Sequence, residues 1–134
     1  MLHRFATIGA LLVGLGSAGP LSVPAAAADL RLISLRCLST EDNAGPDEAY
    51  IMADGRKVWG RQDINDGQTA DLRQVAPIRF EQRVKLELWD YDWPDADDWL
   101  GDVIISVDQA GRGELTATFT EDGASYVLTY IVVP

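Results

Sequence analysis

The sequence predicts an all-β protein, an antiparallel eight-stranded β-sandwich, and three observations carry that reading. Short runs alternate apolar and polar residues, as where Val84, Leu86 and Leu88 interleave with Lys85, Glu87 and Trp89; this is the period of a half-buried strand. Turn-forming clusters interrupt the runs roughly every 8–12 residues, the spacing of strands in a sandwich. No stretch beyond residue 28 repeats its apolar residues at a helical period.

The first 28 residues stand apart. A basic start (Met1 to Arg4), an apolar run (Ala6 to Leu15) and Ala26-Ala27-Ala28 before Asp29 have the order of a secretory signal peptide. A membrane anchor is the competing reading, but Pro20, Pro24 and four glycines interrupt the run and its apolar part is too short to span. The expected organisation is therefore a leader over 1–28 and one domain over 29–134, exported and extracytoplasmic after cleavage. Cys37 is the single cysteine, which excludes a disulfide within the chain. Its place in an alternating run predicts a buried strand residue.

Each strand follows from local pattern. Over Leu30–Leu38 strict alternation places Leu30, Leu32, Ser34, Arg36 and Leu38 on one face and Arg31, Ile33, Leu35 and Cys37 on the other. Ser39 to Asp47 is dense in turn formers and reads as a loop. Asp54-Gly55 between two apolar runs within Tyr50–Trp59 is a strong hairpin signal. Gly60 to Gln68 reads as a surface connection, and Asp71 to Phe80 as a weak strand with Pro77 at an edge or bend. Arg83–Trp89 and Leu100–Val107 are strands flanking an acidic loop. Glu114–Thr120 and Ser125–Val133, joined by Asp122-Gly123, form a final hairpin.

Charge is where function becomes legible. The whole chain has 21 acids against 11 bases, a formal net charge of −10. Such a surface repels nucleic acid and, without a bridging cation, anionic lipid. Nine of the 21 acids fall in two windows, Glu41–Glu48 and Asp90–Asp98, where a merely solvated acidic surface would scatter them. The second window carries Asp90, Asp92, Asp95, Asp97 and Asp98 with no lysine or arginine among them. Carboxylates crowded onto one turn repel one another unless a cation sits between them. Calcium, a hard ion with six to eight oxygen ligands, suits acids on adjacent loops.

Other chemistries fit less well. An EF-hand over Asp90–Gly101 would need glycine where Asp95 stands and glutamate where Gly101 stands. Zinc is disfavoured by a domain with one cysteine and no histidine. Paired carboxylates could serve acid–base hydrolysis, but nothing in the sequence suggests a substrate cleft, and a non-enzymatic binding module is expected.

The residues at this point resemble a known family. Leu88-Trp89-Asp90-Tyr91-Asp92, five intervening residues and Asp98-Trp99-Leu100-Gly101 resemble the third calcium loop of C2 domains. Asp42, five residues and Glu48-Ala49-Tyr50-Ile51 are similar to that family's first calcium loop, with Glu48 and Ala49 where Asp and Pro are usual. The resemblance implies a C2-like sandwich ligating Ca2+ through Asp42, Glu48, Asp90, Asp92 and Asp98, and a phospholipid surface as partner; whether Asp47 and Asp97, in the same two acidic windows, also ligate is left open by the sequence. The chain departs from the family in lacking a lysine-rich strand of the kind that binds phosphoinositides. A calcium-stabilised structural or adhesion domain and a carbohydrate-binding sandwich are the alternatives. Trp93, at the loop tip beside Pro94, is open to three roles: entering a membrane interface, stacking on a glycan or folding back over the ion. Trp99 is expected to pack into the core.

Overall fold

The computed structural model describes residues 26–41 and 44–134; the expected leader up to residue 25 and the candidate ligand Asp42 lie outside them. Among the described residues nine strands, one more than expected, run in the order β1 (Ala27–Ser39), β2 (Asp47–Ala53), β3 (Arg56–Ile64), β4 (Thr69–Asp71), β5 (Ile78–Glu81), β6 (Arg83–Asp90), β7 (Asp98–Ser106), β8 (Glu114–Phe119) and β9 (Ser125–Val133). The ninth arises because the stretch around Pro77, read as one weak strand, is two short ones. Both lie along the same edge of the long β1: β4 against Ser34–Arg36 and β5 against Ala27–Leu30. One antiparallel sheet has the order β4-β1-β9-β8 with β5 also on β1; the other has the order β3-β2-β6-β7.

The core lies between the two inner faces. Leu35, Tyr126 and Leu128 from the first sheet and Ile51, Leu86 and Leu88 from the second are fully buried. Removing such side chains from water stabilises the fold by roughly 1.5–3 kcal/mol each for an aliphatic one. Cys37 is buried among them, as expected.

Two sequence readings are corrected. Alternation in β1 is not continuous: Leu30 and Leu32 are buried, and then Leu35 and Cys37. A β-bulge between Leu32 and Ser34 inserts one residue and turns the strand over, so the core face changes parity midway. The supposed connection from Gly60 is also partly strand, because β3 continues to the buried Ile64, which pairs with Asp47. Gly60 makes that continuation possible. Its φ is +94, and a Cβ there would lie 2.5 Å from the Ala49 carbonyl oxygen, where the β2–β3 register shifts. No other residue type fits so close to the neighbouring backbone.

The Asp54-Gly55 and Asp122-Gly123 turns both have positive φ at both residues, the geometry of tight hairpins. Ala27 and Ala28, assigned to the leader from sequence, are the first residues of β1 and pair with Glu81 and Phe80.

Candidate metal centre

Antiparallel pairing brings the ends of β1 and β6 and the starts of β2 and β7 to one end of the sandwich, so both acidic windows emerge there. β2 and β6 are neighbours, with Ala49 opposite Asp90, and β6 and β7 are neighbours, with Asp90 opposite Asp98. The loops are tied by backbone: the Tyr91 amide donates to the Glu48 carbonyl at 2.9 Å, and the Glu48 amide donates to Asp90 Oδ1 at 2.6 Å.

Glu41, Asp90 and Asp98 converge. One carboxylate oxygen from each lies within 4.8 Å of the others, Asp90 buried and the other two half-buried. Like charges directly opposite across a ladder destabilise it, which is the position of Asp90 and Asp98. At this separation each pair of full charges repels by on the order of 3 kcal/mol at an effective dielectric of about 20. A divalent cation between them turns that repulsion into attraction, and oxygen-only donors on two loops match a hard ion such as calcium.

Of the five residues proposed as ligands from the sequence, Asp90 and Asp98 stand in this group, and Asp42 lies outside the described residues. Glu48 points elsewhere, its carboxylate 3.6 Å from Arg61 Nε on the outer side of β2. Arg61 also lies over the Tyr91 ring at 3.9 Å. Asp92 is half-buried on the loop, outside the converging trio.

Glu41 is the residue that the sequence reading left out of its ligand set. Its signal was present: Glu41 and Asp47 are separated by the same gap as Asp42 and Glu48. The faces of β2 distinguish the two registers, because Asp47, Ala49, Ile51 and Ala53 are the buried set and Glu48, Tyr50 and Met52 are not. Small and apolar residues at 49, 51 and 53 were the clue that 47 points inward.

The two further candidates have structural partners. Asp47 is fully buried and accepts hydrogen bonds from the Tyr126 hydroxyl and the Glu41 backbone amide, the latter at 3.0 Å to Oδ2. Asp97 accepts the Tyr50 hydroxyl at 2.5 Å and the Asp92 amide at 3.2 Å. Burial, followed by the hydrogen bond to the carboxylate, pushes both tyrosine hydroxyls well above their ordinary pKa.

Around the trio, Trp93 is 78% exposed, so it does not pack over the site. Trp99 is 38% exposed, against the expectation of a core position. A register shift leaves Leu100 between the pairs Trp89–Trp99 and Leu88–Gly101, and the buried Leu100 takes the inward position instead.

No protein-family model matches the chain, and no curated protein matches it. Solved structures do. The human GIVD cytosolic phospholipase A2 matches with a TM-score of 0.51 at 15% identity, over 80% of this chain and 17% of that one. The chain thus spans a small part of that enzyme's length. A C2 domain of a plant extended synaptotagmin 1 matches with a TM-score of 0.53 at 9% identity, over 84% of this chain and 97% of that one. Calcium-bound extended synaptotagmin 2, comprising two C2 domains, matches with a TM-score of 0.54 at 18% identity, over 82% of this chain and 46% of that one. Identities this low establish architecture alone. Together with two antiparallel sheets and acidic loops at one end, they make the described residues a C2-like β-sandwich.

Proposed function

We propose that this protein is an exported calcium-binding module rather than an enzyme, and that its loops at residues 41–48 and 90–98 take the ion. The observation that carries the reading is the convergence of Glu41, Asp90 and Asp98, from two loops, to within 4.8 Å. Calcium would be held by these carboxylates, with Asp42 and Asp92 as the further ligands that the C2-like sequence pattern suggests; Glu48, turned toward Arg61, would stand outside the set. Binding would invert the local charge and order both loops against each other. Positions left open on the ion would then accept a phosphate oxygen from an anionic phospholipid surface. Trp93, exposed beside the acids, supports that partner, because an indole at a loop tip is suited to a membrane interface.

Titration calorimetry on the protein tests the ion. Calcium should give saturable heat, with affinity in the range of about 10⁻⁴ to 10⁻³ M typical of extracellular modules. Asp90→Asn combined with Asp98→Asn should abolish it. Heat unchanged in that double variant would sink the site. Sedimentation with phosphatidylserine vesicles tests the partner: binding should require calcium and weaken in Trp93→Ala. Calcium heat without vesicle binding would leave a calcium-stabilised structural domain.

A further inference from the structure

The acids of the two loops divide by what they touch. Glu41, Asp90 and Asp98 meet one another. Asp47 and Asp97 each meet a tyrosine hydroxyl and a backbone amide in the loop they belong to. Asp47 takes the Tyr126 hydroxyl and the Glu41 amide; Asp97 takes the Tyr50 hydroxyl and the Asp92 amide. The same device thus occurs once per loop, rooted in different sheets. Tyr126 belongs to β9 in the core, and Tyr50 belongs to β2 on the outer side of the second sheet.

We infer that Asp47 and Asp97 are positioning residues, each a tyrosine-anchored clamp that fixes the backbone beside an ion-facing carboxylate before the ion arrives. The inference rests on the calcium reading above. A clamp explains why a carboxylate stands at position 47, where it is fully buried. Burying a carboxylate is expensive unless its oxygens are well hydrogen-bonded, and an apolar residue of similar size would avoid the penalty. No apolar residue could accept the Glu41 amide, however, and that amide fixes where the Glu41 carboxylate starts. In the other loop the Asp97 carboxylate closes a six-residue turn back to Asp92, between Asp90 and Asp98. A loop ordered in advance loses less conformational entropy on binding, so affinity rises without any new contact to the ion.

The test uses Tyr50 and Asp97, whose partly exposed setting tolerates change, and reads calcium affinity beside amide exchange in the metal-free protein. Tyr50→Phe keeps the ring and removes the anchor. It should weaken calcium binding by about tenfold, the worth of one hydrogen bond, and speed exchange at the Asp92 amide while leaving the melting temperature nearly unchanged. Asp97→Asn keeps an oxygen for the amide and a polar partner for the tyrosine, so it should retain most of the affinity that Asp97→Ala loses. Asparagine as damaging as alanine, with Asp92 exchange undisturbed, would make Asp97 a ligand and overturn the inference. Wild-type affinity in Tyr50→Phe would overturn it equally. Absence of calcium heat from the unaltered protein would overturn the calcium reading and this inference with it. Amide exchange that still depended on Tyr50 would then mark a clamp of purely structural use.

Discussion

Asp47 and Tyr126 show how one buried pair can matter to both stability and site. The Tyr126 hydroxyl lies in the core and donates to a carboxylate that is itself sealed from water. Tyr126→Phe would remove the donor and leave Asp47 buried with one partner fewer. The expected loss is about 1–3 kcal/mol, measured by denaturant unfolding at neutral pH. The same pair predicts an alkaline limit. Burial, then the Asp47 bond, raises the Tyr126 pKa above its ordinary 10.0, and burial raises Cys37 above 9.0. The folded protein therefore keeps protons that the unfolded chain releases. Stability from these groups is fully present below pH 9 and is lost as pH rises past 9 to 10, by up to about 1.4 kcal/mol per pH unit for each group. Tyr126→Phe should flatten that fall; an unchanged slope would mean that the hydroxyl does not titrate differently on unfolding.

At the scale of elements, the interruptions in the strands decide the geometry. The bulge in β1 lets one long strand serve the core at both ends. The shift in β7 turns Leu100 inward and sets Gly101 against β8. Gly101 has φ +125, and a Cβ there would lie 3.3 Å from the Thr120 nitrogen and 3.4 Å from the Phe119 Cα. The Glu121 amide donates to the Leu100 carbonyl at 3.0 Å, so the strands are already in close contact. Gly101→Ala combines backbone strain with crowding and should lower stability by about 1–3 kcal/mol. Thermal unfolding would show this as a clear fall in midpoint, and a midpoint unchanged within a degree would contradict the close packing. Glycine after the Trp-Leu pair thus has a local reason: it lets the strand that begins with Asp98 lie against its neighbour.

For the whole molecule, the dominant fact is the distribution of negative charge. With a formal net charge of −10 and nine of 21 acids in two windows, the fold gathers repulsion at one end of the sandwich. A bound cation should therefore stabilise the molecule as a whole. At free calcium about a hundredfold above its Kd, linkage adds about 2.7 kcal/mol. For a domain of this size that corresponds to a rise in melting temperature on the order of 10 °C. Sodium chloride at matched ionic strength should give much less, since it screens without bridging. Equal shifts in the two salts would reduce the effect to general screening.

Much of this was legible in the chain itself. Period-two alternation and paired Asp-Gly turns determine the strands because they depend only on neighbours within a few residues. The C2-like pattern in the 90–98 loop named Asp90, Asp92 and Asp98, and Asp90 and Asp98 meet because β6 and β7 are adjacent in sequence as well as in space. What only the tertiary structure decided were the relations between distant residues. Glu41 enters the cluster because Asp47, turned into the core, holds its amide, and Asp47 is held in turn by a tyrosine 79 positions away. Glu48 faces Arg61 because an alternating strand presents one acid inward and the next outward, and packing against the first sheet chooses which. Local pattern gives the period of a strand, but its phase at a bulge or beside a loop is set by what lies across the core.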